Sequence, residues 1–319
     1  MDRGGAEPDI MTMQSLKTWL EKESAKIPSV HWISCMFDER PPWSAGLPNA
    51  YCGPGIVRPV NVTQHRISYG NLPDELEGFT IAHITDLHAG LFMGTAQIEE
   101  IVSTVNAGKP DLVAITGDLI NHHPRYIPEC MRALNRLKAG AGVYVVLGNH
   151  DYYTGYGLVL QAVKHSRMTI LLDQAAASRK LPDSLHVIGL DDPVSHWTHR
   201  TPFPHLERLL QKCPPEGFRL LLSHRPGVFR QARHLNVHLT LSGHTHGGQM
   251  IFPIPGTRGL ALSRMGLSFS HGWYHAPDNP ENRLYVSRGV GTTVAPVRIN
   301  CPPEIAWIRL EKRRADRCA

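Results

Sequence analysis

Short apolar runs, each ending in a polar block of glycine, aspartate, asparagine or histidine, set the tightest limit on how this chain can fold. Phe79–Thr85 ends on Asp86-Leu87-His88, Leu112–Thr116 on Gly117-Asp118, and Gly142–Leu147 on Gly148-Asn149-His150-Asp151. Farther on, Phe218–Ser223 leads into His224, and Leu239–Ser242 into Gly243-His244-Thr245-His246. Runs this short, bounded by turn residues, suit buried strands better than helices. Further strands are expected at Val60–Ser68, Leu185–Leu190, Arg283–Ser287 and Ile305–Leu310, with a turn over Leu72–Gly78. Helical spacing appears over Ala96–Asn106, Ile127–Leu137, Gly157–Lys164 and His205–Lys212. Strands interleaved with helices argue an α/β fold whose sheets are covered by helices.

In open α/β sheets, ligands bind in the crevice beyond the carboxyl ends of the strands. Five polar blocks placed there would emerge together at one edge. Their side chains suit a pair of divalent cations, which want oxygen and imidazole ligands, a bridging anion and open positions for water and substrate. Asp86 and Asp118 supply carboxylates, His88, His224, His244 and His246 imidazoles, and Asn149 an amide oxygen. No cysteine falls among them, which argues against a structural thiolate zinc site. Glycines before Asp118, Asn149 and His244 allow tight turns. The plain alternative, structural polar turns, is disfavoured because buried Asp and His clusters are costly without a cation.

Composition narrows the rest. The 42% hydrophobic and 19% charged residues fit a folded enzyme and exclude wholesale disorder. A formal charge of +5 suits anionic partners without choosing among them. Six scattered cysteines, with no CxxC pair, read as free thiols in a reducing compartment. No spanning helix and no export signal are expected, so the default location is the cytoplasm. The chain divides into an irregular leader (1–59), a catalytic domain (60–311) and a basic tail (312–319). Within the leader, Met13–Ile27 reads as an amphipathic helix, expected to dock on the protein's own domain, with peripheral contact at the inner membrane face as the alternative.

In the order DxH, GDxx, GNH[DE], H, GHxH, the five blocks resemble the calcineurin-like metallophosphoesterases, over roughly residues 60–310. Ser242–Gln249 (SGHTHGGQ) and Tyr285–Ile305 are similar to the YkuE/YaeI-type branch, which includes LpxG-type UDP-2,3-diacylglucosamine pyrophosphatases of lipid A synthesis. The resemblance implies a four-layer α/β/β/α sandwich. It also implies two divalent ions, Mn first with Fe or Zn as alternatives. Asp86, His88, Asp118 and His246 would hold one ion. Asp118, Asn149, His224 and His244 would hold the other, with Asp118 bridging. His150 would protonate the leaving group without binding metal, and Asp151 would sit behind His150 and orient it. The implied activity is hydrolysis of a phosphodiester or pyrophosphate in a small phosphorylated molecule or nucleotide-lipid. A non-catalytic metal-stabilised scaffold is the rival class. Neither specific nucleic-acid binding nor a protein partner is indicated.

Other residues carry weaker readings. His83 is expected to be a core or sheet residue, while His122 and His123 either rim the pocket or sit in a surface loop. Arg225 and Arg288 are candidate phosphate contacts. Asp191-Asp192-Pro193 reads as a turn, with a reach to the pocket edge as the less favoured option. The apolar segment 250–276 is read either as a substrate cap or as a hairpin closing a second sheet.

Overall fold

The computed structural model describes residues 60–192, 203, 205–251, 268–293, 296 and 298–313. The leader and its expected helix, most of the segment 250–276, Pro193 and the end of the tail lie outside the described residues. Among the described residues the strands are β1 (Asn61–Tyr69), β2 (Thr80–Ile84), β3 (Leu112–Thr116), β4 (Gly142–Val146), β5 (Thr169–Ile170), β6 (Gln174–Ala175), β7 (Leu185–Gly189), β8 (Phe218–Leu222), β9 (Leu239–Ser242), β10 (Gly272–His275), β11 (Arg283–Val286) and β12 (Glu304–Lys312). The α-helices are α1 (Thr95–Ala107), α2 (Ile127–Leu134), α3 (Asn149–Lys164), α4 (Leu206–Lys212) and α5 (Phe229–Ala232).

Two six-stranded sheets form, in the orders β1-β12-β2-β3-β4-β5 and β10-β11-β9-β8-β7-β6. Strands β2 to β5 run parallel, as do β7, β8, β9 and β11, while β6 and β10 close the second sheet as antiparallel edges. Successive residues of a strand point to opposite faces, so each buried strand serves two cores. On the first sheet Ala82, Ile84, Val113, Ile115, Val143 and Val145 pack against α1, α2 and α3. Ile81, Leu112, Ala114, Tyr144 and Val146 point the other way, onto Phe218, Leu220, Leu222 and Leu241 of the second sheet. Leu221, Leu284 and Val286 then face α4 and α5 on the outer side. The layers are therefore α/β/β/α, as the sequence reading expected.

One polar knot ties the two sheets together. Glu304, buried at the start of β12, accepts hydrogen bonds from Thr63 of β1 and Tyr285 of β11, each at 2.6 Å. The backbone N–H and the Nε of Arg288 complete its shell, each at 3.1 Å.

Several boundaries differ from expectation. The third long helix starts at Asn149, not Gly157, because the polar block itself forms its first turn. Gly155, at φ 124°, breaks the helix midway, which hides the first half from a periodicity reading. α2 stops at Leu134, three residues short of Leu137. β12 runs on through Lys312, which pairs with Tyr69 of β1 and so belongs to the sheet, not the tail. Gly272–His275 is the edge strand β10, so that part of the apolar segment closes the second sheet.

Candidate metal centre

The polar blocks sit where three strands of one sheet and two of the other end side by side. Asp86 and His88 follow β2, Asp118 follows β3, and Asn149 and His150 open α3 after β4. From the second sheet, His224 follows β8, and His244 and His246 follow β9. Backbone bonds lock the loops together: Asp86 N–H donates to Gly117 O at 3.0 Å and His88 N–H to Asp118 O at 2.9 Å.

The loops are also strained. Asp86, His88, Asp118, His244 and His246 all have positive φ, between 49° and 71°. Non-glycine residues rarely adopt this region, and such strain concentrates at functional sites. The neighbouring glycines leave no room for a side chain. A Cβ on Gly148 would lie 2.3 Å from Asp118 Oδ1, and one on Gly243 would lie 2.2 Å from Asp86 Oδ2.

The donor atoms converge. His246 Nε2 lies 2.9 Å from His88 Nε2 and 3.4 Å from Asp86 Oδ1. Asp118 Oδ2 stands between the two groups, 3.4 Å from His88 Nε2 and 3.2 Å from His224 Nε2. That is the position a bridging carboxylate needs. His224 Nε2 lies 3.1 Å from Asn149 Oδ1 and 3.2 Å from His244 Nδ1. Asp86, His88 and His246 form one triad with donor atoms within 4.8 Å of one another, and Asp86, Asp118 and His224 form another. His244 joins through His224, while its backbone N–H holds both Asp86 oxygens at 3.1 Å. All seven expected ligands thus meet in one place.

Electrostatics favour a cation here. Burial holds His88 and His246 well below the usual imidazole range and brings His244 down to about 3, so their lone pairs stay free. Burial also opposes a charge on His224, but the adjacent Asp118 carboxylate outweighs it and pushes that ring up to about 10. Asp86 is pushed up to about 6 by burial. His88 Nε2 and His246 Nε2 face one another at 2.9 Å, so with one proton at most between them at least one of the two presents a lone pair. His88 Nδ1 is buried with no hydrogen-bond partner among the described residues. Carboxylate, imidazole and amide donors without thiolate fit a hard-to-borderline divalent ion.

His150 fits the edge of this group. Its backbone N–H donates to Asp118 Oδ1 at 2.8 Å, and a ring nitrogen lies within 4.8 Å of donor atoms of His88 and Asp118. Its ring stands 4.6 Å from that of His88 and 4.7 Å from that of His122. His122 therefore rims the pocket. Asp151 does something other than expected. Its carboxylate accepts from the backbone N–H groups of Leu119, Ile120 and Gly148 at 2.9, 3.1 and 3.0 Å, whereas His150 Nδ1 has no hydrogen-bond partner among the described residues. Asp151 clamps the Asp118 loop to the Gly148 loop and does not orient the His150 ring. The reason is geometric: as the third residue of α3 it reaches back to the helix start, as N-terminal acidic residues do.

Other residues enter that no motif marked. Thr116 O accepts from His224 Nδ1 at 2.8 Å, so the first sheet aims a ring carried by the second. Arg298 lies beneath His246 and donates to the carbonyls of Arg288 and Gly289 at 2.8 and 3.2 Å, fixing the loop after β11. Asp192, read as part of a turn, is buried and grips Arg225 Nε at 3.0 Å. Arg225 Nη1 in turn approaches His244 Nε2 at 3.5 Å. Arg288 is committed to Glu304. His83 is a core residue, as expected, bonded through Nε2 to Thr116 Oγ1 at 2.8 Å.

Residues 79–248 match the family described as calcineurin-like phosphoesterase. The chain is 30% identical over 264 residues to the uncharacterized metallophosphoesterase YkuE of Bacillus subtilis, covering 79% of this chain and 86% of that one. It is 31% identical over 258 residues to an uncharacterized metallophosphoesterase of Helicobacter pylori, covering 80% and 65%. A transmembrane protein with metallophosphoesterase domain from Danio rerio is 29% identical over 282 residues, covering 84% of this chain but 60% of its own length. Among solved structures, the NAD nucleotidase of Haemophilus influenzae is similar at 16% identity, covering 66% of this chain and 45% of that one, with a TM-score of 0.46.

Proposed function

The chain belongs to the calcineurin-like phosphoesterase family of metal-dependent hydrolases, and on that premise we propose that it cleaves a phosphodiester or pyrophosphate bond at the centre around Asp118. The observation that carries this reading is the convergence of donors from both sheets on Asp118 Oδ2. Two divalent ions bound there supply an activated water and neutralise phosphoryl oxygens. Asp86, His88, Asp118 and His246 would hold one, and Asp118, Asn149, His224 and His244 the other, with Mn preferred over Fe or Zn. His150 is held at the rim by its N–H bond to Asp118, and its ring delivers a proton to the departing oxygen. Asp151 keeps the two loops in register.

The proposed substrate is UDP-2,3-diacylglucosamine, cleaved to UMP and the lipid monophosphate. Its support is the likeness of Ser242–Gln249 and Tyr285–Ile305 to that branch, and the location proposed with it is the inner face of the membrane. The proposed contact is peripheral; among the described residues no helix is long and apolar enough to cross a membrane. Hydrolysis of bis(p-nitrophenyl) phosphate with added Mn²⁺ tests the chemistry. Asp118→Ala should lower kcat/KM by about a thousandfold or more, and an unaffected variant would return the protein to the scaffold class. Turnover of the diester without turnover of the lipid nucleotide would leave a general phosphodiesterase.

A further inference from the structure

Three tyrosines lie in the first half of α3, and only two of them serve the core. Tyr152 and Tyr156 stack with ring centroids 4.6 Å apart and 15° between their planes, and Tyr152 donates to Asp191 Oδ2 at 2.5 Å. Both also pack against the core between the first sheet and its helices. Tyr153 is 47% exposed, and its one ring contact among the described residues is with His150, at 5.6 Å. His122 stands against the same ring at 4.7 Å, held in left-handed backbone at φ 59°. Residues other than glycine rarely take that conformation, and it gathers at functional loops.

A lone exposed aromatic side chain is commonplace on a protein surface. The place of this one is what matters. His150 meets the ligand cluster through the His88 ring, 4.6 Å away, and outside that cluster its ring meets Tyr153 and His122. In an in-line displacement the departing oxygen lies at the proton donor, so the group attached to that oxygen lies beyond His150. We propose that Tyr153, beside His122, is the surface on which the leaving group rests, and that this group carries a planar aromatic ring. An aromatic side chain offers its face or edge to any flat ring with little regard to substituents, whereas an aliphatic group gains only apolar contact. This inference rests on the hydrolase reading above and adds the chemistry of the departing half of the substrate.

The test uses the full chain with Mn²⁺ and two methyl phosphodiesters whose departing alcohols match in acidity, one a phenol and the other a fluorinated alkanol. Wild type should prefer the aryl diester in kcat/KM, and Tyr153→Ala should shrink that preference about tenfold, the range of one stacking contact. A ratio between two substrates is unmoved by partial unfolding or lost metal, which lower both rates alike. Tyr153→Phe keeps the ring and should keep the preference. No preference in wild type, or the same preference in wild type and Tyr153→Ala, would overturn the stacking surface. So would a Tyr153→Phe variant that behaves like Tyr153→Ala, since the hydroxyl would then be the cause. If wild type cleaves neither diester, the hydrolase reading itself fails and this inference falls with it.

Discussion

Glu304 and Asp118 are both carboxylates with almost no exposed surface, yet their surroundings differ in kind. Burial works against the charged form of each. At Glu304, Thr63, Tyr285 and Arg288 reverse that effect and hold the carboxyl below its usual range. Donors fill its shell, and nothing is left to bind. At Asp118 the adjacent His224 ring outweighs burial and holds the carboxyl well below its usual range, but its Oδ2 faces ring nitrogens that also converge on one another. A buried charge that is fully paired holds a fold together, whereas lone pairs of several buried rings that converge beside a carboxylate form a receptor for cations. The contrast separates structural from functional clusters without reference to motif.

Substitutions can break or sharpen this contrast. His150→Ala should cost about 10²–10⁴-fold in turnover, the range of general acid catalysis, while metal content stays at the wild-type value by elemental analysis. Full activity in that variant would remove the ring from the mechanism. Glu304→Ala should do the reverse. Breaking the knot and stranding Arg288 should cost about 3–5 kcal/mol in denaturant unfolding, with metal stoichiometry unchanged in the protein that remains folded. Asp151→Asn retains the shape but weakens the clamp on three N–H groups. Metal affinity or activity should fall about 10–100-fold, as for other residues that position ligands; an effect confined to the pH profile of His150 would instead restore the orienting role. The smallest effect concerns His83, whose ring burial depresses to about 3. The unfolded chain, with an imidazole near its ordinary value of 6.5, takes up the proton first as pH falls. Stability is therefore lost below about pH 6.5, by roughly 1.4 kcal/mol per pH unit. His83→Gln should flatten that share of the slope between pH 7 and pH 5, and an unchanged slope would mean the ring is not neutral in the fold.

The ligands were legible because each follows a strand whose burial pattern is local: β3, the strand preceding Asp118, occupies the residues that its apolar run marks. What stayed hidden depends on tertiary context. Asn149 to Thr154 looks like loop, since asparagine is a poor helix former and Gly155 follows, yet it is held helical by the clamp of Asp151. Arg298 and Asp192 carry no spacing signal. Their meaning comes from contact with His246 and with Arg225, both far away in sequence. Strands of two residues, β5 and β6, exist only because neighbours offer them partners.

The centre draws Asp86, His88, Asp118 and Asn149 from one sheet, and His224, His244 and His246 from the other. Ions held there would act as a clasp across the mouth of the sandwich. Chelation should loosen the grip of each half on the other, so metal affinity and cohesion between the halves are one quantity seen from two sides.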